Sequence, residues 1–219
     1  FPDFRIAPET AELVREMVAN GEADALVPER VMQEISRGLM ERRPSRMLNV
    51  LVASGLIDRL YSELEDLGPA SAALDRAAAK GLVLPARFAV LASACRSPRT
   101  VADLIGKLRV PQESAQLARL LVELRESLET AESSAAVVDT LERADAFRRP
   151  ERFELLLQTF ETAYEKSAER FRLALRAAAE VDAGALASLH RNDSAEIPRA
   201  VRQARVVAVS GALHADEGP

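Results

Sequence analysis

Apolar residues recur along most of the chain at the three- and four-residue spacing of amphipathic helices. In the stretch that begins at Pro28, for example, Val31, Ile35 and Leu39 fall on one face. Few segments alternate apolar and polar residues with period two, so a large β-sheet is not expected. The pattern therefore predicts an all-α fold.

Proline and glycine divide this pattern into helices, because proline suits the first turn of a helix and glycine its end. The stretch 151–181 is the longest uninterrupted helical pattern, and residues 214–219 are small and polar, so we expect them to be frayed. Predicted helices cover residues 8–19, 28 to the Arg42-Arg43-Pro44 break, 45–54, 56–67, 70–80, 85–95, 100–108, 111–128, 135–146, 151–181 and 196–209.

Composition limits the core and the partners of the 219-residue chain. Aromatic residues make up only 4%, so the core must consist mostly of Leu, Val, Ile and Ala. The formal net charge is −5, so any contact with nucleic acid must come from a local basic patch. Cys95, the single cysteine, lies in a predicted buried helix and is expected to be an inert core thiol. A chain that cannot form an internal disulfide suits the cytoplasm.

Neither end of the chain carries a targeting or membrane pattern. No apolar run reaches the roughly 20 residues that cross a bilayer, and no signal-peptide pattern is present. The start, Phe1-Pro2-Asp3-Phe4, is typical of the interior of a longer protein, a processed chain or an excised segment.

Residues 21–31 read Gly-Glu-Ala-Asp-Ala-Leu-Val-Pro-Glu-Arg-Val, followed by Met32 and Glu34. This segment is similar to the G-E-L-D-x-L-x-P-E-R-V-W-x-E stretch of bacterial CCA-adding tRNA nucleotidyltransferases, with Met32 in place of Trp. Further segments resemble the same family in the same order, and poly(A) polymerases are its close relatives. These segments are residues 6–10, 44–64, 109–111, 145–153 and 196–205.

The resemblance implies an elongated, multi-helical neck (1–68), body (69–134, with degenerate phosphohydrolase-like helices) and tail (135–219). In this family a preceding head domain carries two magnesium-binding carboxylates and a Glu-Asp-x-x-Arg motif that pairs with CTP or ATP. Neither occurs here, since Glu65-Asp66 lacks the Arg. We therefore expect no head domain, no catalytic residues and no cofactor in this chain, with magnesium only in the missing head.

Some members of the family also hold a metal-dependent phosphohydrolase site in the body. Ser93 and Ala94 stand where its His-Asp pair would be, and Arg125 replaces a downstream His. His190 and His214 lack an acidic partner pattern. No metal site is expected.

The resemblance also implies binding of the acceptor and T arms of tRNA. Guanidinium groups suit phosphates, so two arginine trios are predicted to contact RNA, with solvated surface charge as the alternative. We expect Ala at positions 202 and 205 to weaken tRNA binding without unfolding the protein. The trios are Arg148, Arg149 and Arg152 around Pro150, and Arg199, Arg202 and Arg205 along the last predicted helix.

Arg30 and Glu34 stand four residues apart on the second predicted helix. By resemblance they brace the neck against the nucleotide-binding helix of the head; an ordinary surface pair is the alternative. Tyr61, Phe147 and Phe153 lie within apolar patterns, so they are expected in the core rather than stacked on bases.

The sequence thus favours a tRNA-binding helical portion of a nucleotidyltransferase whose parent reaction is CCA addition and repair at tRNA 3′ ends. Expected partners are tRNA and the chain's own head domain, and neither a membrane nor DNA. The alternative is a free-standing helical scaffold or protein-interaction module derived from that family. Whether the parent adds CCA, only CC or only A depends on the head, and the oligomeric state stays open.

The absence of the carboxylate pair and the nucleotide-pairing motif predicts that this chain alone transfers no nucleotide. Incubation with tRNA lacking its 3′ end, CTP, ATP and magnesium should leave the tRNA unextended on a denaturing gel. Extension by intact-mass-verified protein would contradict the prediction.

Overall fold

A computed structural model of the chain describes residues 6–189 and 195–216. Within these ranges every regular element is a helix and no strand occurs, which confirms the all-α prediction. A 3₁₀ turn at Glu22–Ala25 separates the first two α-helices. The α-helices are α1 Pro8–Ala19, α2 Pro28–Leu39, α3 Ser45–Ala53, α4 Leu56–Leu60, α5 Leu67–Ala79, α6 Leu84–Ala92, α7 Pro98–Leu108, α8 Gln112–Thr130, α9 Ser134–Arg143, α10 Pro150–Tyr164, α11 Glu169–Ala179, α12 Ala183–Leu189 and α13 Glu196–Asp216.

The helices form two compact units. The first reaches Glu123 and includes Thr162–Tyr164, and the second contains Leu124–Glu161 and the described residues from Glu165 onward. The predicted division into neck, body and tail was based on resemblance to a family, whereas the two units are defined by compactness. The predicted division therefore stays a prediction.

Small apolar side chains build the core of the first unit, as the low aromatic content predicts. The segment of α6 from Ala86 to Ala92 is buried throughout. It packs on α5, whose buried face includes Ala70, Ala73 and Ala77. Because the distance between packed helices depends on the side chains at the contact, this alanine face lets α5 and α6 approach closely.

A buried arginine joins three parts of this core. Arg87 on α6 is only 5% exposed. Its Nε donates to the Leu82 carbonyl at 2.7 Å, and its Nη1 donates to the carbonyls of Leu39 (2.8 Å) and Glu41 (3.1 Å). Since the last carbonyls of a helix lack partners within it, Arg87 caps the end of α2. Burial lowers the pKa of Arg87, and in the described ranges no carboxylate lies within ion-pair distance of it.

Gly38 sets the contact between α2 and α3. A Cβ built at this position would lie 2.1 Å from Met47 Sδ and 3.0 Å from Met47 Cγ. Glycine therefore lets the Met47 side chain lie directly against the α2 backbone.

The predicted helix over 56–67 is wrong beyond Leu60, where α4 ends. The next helix starts at Leu67, three residues before the predicted start, so Gly68 and Pro69 lie in its first turn. Proline is tolerated there because the N–H that it lacks would have no partner within the helix.

In the second unit, the predicted single helix over 151–181 is wrong. The chain leaves α10 at Glu165, whose φ of 54° lies in the left-handed region, and restarts as α11 at Glu169. Arg172 on α11 then reaches back to α10, with Nη1 2.7 Å from Glu161 Oε1 and Nε 2.9 Å from Glu154 Oε2. In a straight helix Glu154 and Arg172 would be about 27 Å apart at 1.5 Å per residue. The hydrogen bonds that Arg172 donates to Glu161 and Glu154 raise the pKa of Arg172, so the group stays charged.

The closing helix is longer than predicted. It continues past residue 209 to Asp216, because Val209 and Leu213 are both buried, and α13 packs against α9 and α11. The expectation of fraying from His214 is therefore wrong up to residue 216, and residues 217–219 lie outside the described ranges. The short helix α12 was not predicted.

Replacing Arg87 with Met should lower the free energy of unfolding by about 2–4 kcal/mol, because three carbonyls would lose a charged donor. Urea unfolding followed by circular dichroism measures the change. Arg99→Met is the matched control, since Arg99 is exposed on α7 and should change stability by less than about 0.5 kcal/mol. Equal midpoints for the two variants would show that Arg87 does not hold the core.

Candidate nucleic-acid interface

The first predicted arginine trio surrounds the turn between α9 and α10. Asp145 adopts a φ of 55° there, and its carboxylate lies 3.7 Å from Arg149 Nε and 3.6 Å from Arg152 Nη2. Arg152 also donates to the Ala144 carbonyl at 2.8 Å, which leaves its side chain mostly covered. Arg148 is exposed, with no ion pair in the described ranges. At this turn Arg148 is therefore exposed and unpaired, Arg149 is exposed but paired with Asp145, and Arg152 is mostly covered.

The second trio lies on α13, and its members face different surroundings. The Arg199 side chain is 80% exposed, and its Nη1 lies 3.6 Å from Glu196 Oε2, which makes a weak surface ion pair. Arg202 is ion-paired with Glu142 and, at 3.5 Å, with Asp139, both on α9. These two carboxylates hold α13 against α9.

Arg205 stacks its guanidinium over the ring of Phe147, 3.7 Å from the ring centre. Its Nε is buried without a hydrogen-bond partner. Arg202 and Arg205 therefore make packing contacts inside the second unit. That their replacement by Ala leaves the protein folded stays a prediction. RNA contact by either trio stays a prediction.

The Arg30–Glu34 pair does not form. Both side chains are exposed on α2, and Glu34 Oε1 instead accepts from Arg37 Nη1 at 2.6 Å. In the described ranges Arg30 has no ion pair. A role for this exposed face toward a head domain stays a prediction.

Two of the three aromatic side chains expected in the core lie there. Tyr61 and Phe153 are buried, which confirms the core interpretation for both. The prediction is wrong for Phe147, which is half-buried beneath the guanidinium group of Arg205. Burial, followed by the charge of Glu63, raises the pKa of Tyr61. Burial also raises the pKa of the Cys95 thiol to about 12, as expected of an inert core cysteine.

The stretch that resembles a phosphohydrolase is helical only to Ala92, so the predicted helix over 85–95 is wrong at its end, and Ser93 and Ala94 lie in the turn that follows α6. Ser93 Oγ donates to the Val90 carbonyl at 2.7 Å, and the Ala94 carbonyl accepts from the Glu65 N–H at 3.1 Å. Arg125 is ion-paired with Glu129 at 3.1 Å. In the described residues no cluster of three or more His, Cys, Asp or Glu side chains has the arrangement of a metal site.

Neither histidine belongs to this stretch of the sequence. His214 Nδ1 lies 2.6 Å from the Ser210 carbonyl on α13, and His190 falls outside the described ranges.

Sequence reasoning missed a basic groove in the first unit. The segment Arg42-Arg43-Pro44 was interpreted only as a helix break, yet its arginines, with Arg46, line a groove of about 720 Å³. The indication was present in the sequence, since three arginines within five residues form a local basic patch in an acidic chain.

Fold and surface together define an all-helical module with exposed arginines. A family model described as "Probable RNA and SrmB- binding site of polymerase A" matches residues 3–67. Among curated proteins, the "CCA-adding enzyme" of Bordetella bronchiseptica is 46% identical over 97% of this chain and 57% of its own length. The "Multifunctional CCA protein" of Cupriavidus taiwanensis is 41% identical over 100% of this chain and 64% of its own length.

Over nearly its whole length the chain is similar to CCA-adding enzymes, and the matches support the C-terminal region of such an enzyme. It spans less than two thirds of the length of these relatives. No solved structure matches the chain. In the described residues no helix is both long and apolar enough to cross a bilayer.

Two double variants should separate packing arginines from available ones. Arg202→Ala with Arg205→Ala should lower the free energy of unfolding by about 1–2 kcal/mol, because partly exposed ion pairs and cation–π contacts each contribute up to about 1 kcal/mol. Arg148→Ala with Arg199→Ala should stay within about 0.5 kcal/mol of wild type. Urea unfolding measures both, and equal stabilities would refute a packing role for Arg202 and Arg205.

Proposed function

We propose that this chain is the tRNA-binding portion of a CCA-adding enzyme. It would hold the acceptor and T arms of tRNA while a head domain builds or repairs the 3′ CCA end. The observation that carries this proposal is the 46% identity over 97% of the chain to a protein named CCA-adding enzyme. The RNA-binding description of the family model over residues 3–67 supports the same function.

The exposed arginines support recognition of backbone and shape rather than of base identity. Tyr61 and Phe153 are buried and Phe147 is covered by Arg205, so none of these rings offers a stacking platform. Guanidinium groups such as those of Arg148 and Arg199 remain at the surface for phosphates. With a net charge of −5, binding should rely on where these groups sit. Folded tRNA fits this mode, and the setting would be the cytoplasm.

A head domain is the second proposed partner. The relatives extend beyond the region that this chain matches. Large apolar side chains are exposed on α1, before α2 and on α3. Contact of apolar surface with water is unfavourable by about 25 cal/mol per Å². A head domain that covers these side chains would remove this unfavourable contact. These residues are Leu13, Met17, Leu26, Val27, Val50 and Val52.

Titrations of labelled RNA test the tRNA proposal. A tRNA lacking its CCA end and a minihelix of its acceptor and T arms should bind with similar affinity. Both should bind more tightly than an unstructured strand of equal length, because the strand lacks the A-form shape. Fluorescence anisotropy at several salt concentrations measures the three affinities. Equal binding of tRNA and strand at every salt concentration would favour a scaffold that is not specific for tRNA.

A further inference from the structure

The groove in the first unit is formed by the end of α2, the connection to α3 and the end of α5. Its volume is about 720 Å³. Apolar atoms of Met47, Ala78 and Ala79 line it together with the side chains of the connection. The close approach at Gly38 holds Met47 against α2.

Three arginines line this groove: Arg42, Arg43 and Arg46. Arg42 and Arg43 are exposed, and in the described ranges neither has an ion pair. This distinguishes them from Arg202, which already holds two carboxylates. Glu41 is the single acidic residue among the lining side chains, so the groove is locally positive.

An aspartate already occupies the start of α3. Asp75 Oδ1 accepts from the Ser45 N–H at 3.0 Å, and Oδ2 accepts from Ser45 Oγ at 2.7 Å. The Asp75 carboxylate therefore satisfies the helix end and does not neutralise Arg42 or Arg43. An anion that enters the groove would be held by guanidinium groups rather than by the helix N-terminus.

The connection that carries these arginines is anchored at both sides. Arg87 holds the carbonyls of Leu39 and Glu41 immediately before it, and Pro44 is buried immediately after it. Anchoring of this kind restricts the backbone before a ligand arrives, which lowers the entropic cost of binding.

We infer that Arg42 and Arg43 bind backbone phosphates of RNA, with the apolar groove floor facing the adjoining ribose. The inference rests on the proposed RNA-binding function and adds a site in the first unit to the arginines of the second. RNA is favoured over an acidic protein because the chain is 46% identical to a protein named CCA-adding enzyme, and these residues fall within the 3–67 match to a model described as a probable binding site for RNA and SrmB.

The test compares three double variants of the 219-residue chain with wild type in tRNA titrations between 50 and 200 mM salt. Arg42→Gln with Arg43→Gln removes two charges from the groove. Arg99→Gln with Arg119→Gln removes two charges from exposed sites outside it. Arg42→Lys with Arg43→Lys keeps the charges at the groove. Arg46 stays unchanged because it is half-buried.

Loss of two phosphate contacts should reduce the log–log salt slope by about 1.4–1.8. Between 50 and 200 mM salt, the affinity of wild type for tRNA should fall by a factor about 7 to 12 times larger than the factor by which the affinity of the groove Gln variant falls. The control Gln variant should keep the wild-type slope, and the Lys variant should restore most of it. Circular dichroism should show the same unfolding midpoint for all four proteins, since the changed side chains are exposed.

Two outcomes would overturn the inference while leaving the proposed function intact. One is binding of tRNA by wild type together with an unchanged slope in the groove Gln variant. The other is a loss of affinity for polyglutamate in the groove Gln variant that equals its loss of affinity for tRNA, which would mark the groove as a site for an acidic protein. Absence of tRNA binding by wild type would instead remove the proposed function and the inference with it.

Discussion

A guanidinium group that leaves water must find acceptors, because an unpaired buried charge costs several kcal/mol. This constraint organises both units. Arg87 takes three backbone carbonyls and fixes the end of α2, while Arg172 takes carboxylates from α10 and fixes the turn into α11.

The same constraint separates the arginines that pack from those that can meet a polyanion. Arg202 and Arg205 are engaged by α9 and by Phe147, so binding a phosphate would first require breaking internal contacts. Arg148, Arg42 and Arg43 are exposed and unpaired in the described ranges. In an acidic chain, such a division concentrates positive potential at a few places, which suits specific rather than general attraction to RNA.

The residues that stand where the resemblance would place phosphohydrolase ligands take part in contacts of the fold. Ser93 Oγ and the Ala94 carbonyl form hydrogen bonds within the first unit, and Arg125 pairs with Glu129. Ser93 and Ala94 lie just past the end of α6, where a chain that leaves a helix must find partners for the last carbonyls. The loss of a metal site in this stretch stays a prediction.

The sequence by itself determined the elements whose causes are local. The all-α fold, the bounds of α1, the proline-initiated start of α2 and the burial of Cys95 all follow from residues within a few positions of one another. Tertiary structure decided the rest. Only folding brings Glu154 to Arg172 across 18 positions, seats Arg202 on α9, and joins Arg42 and Arg43 to α5 in one groove. Periodicity records which face of a helix is apolar, but not which distant charge an arginine meets, because that depends on how the chain turns between helices.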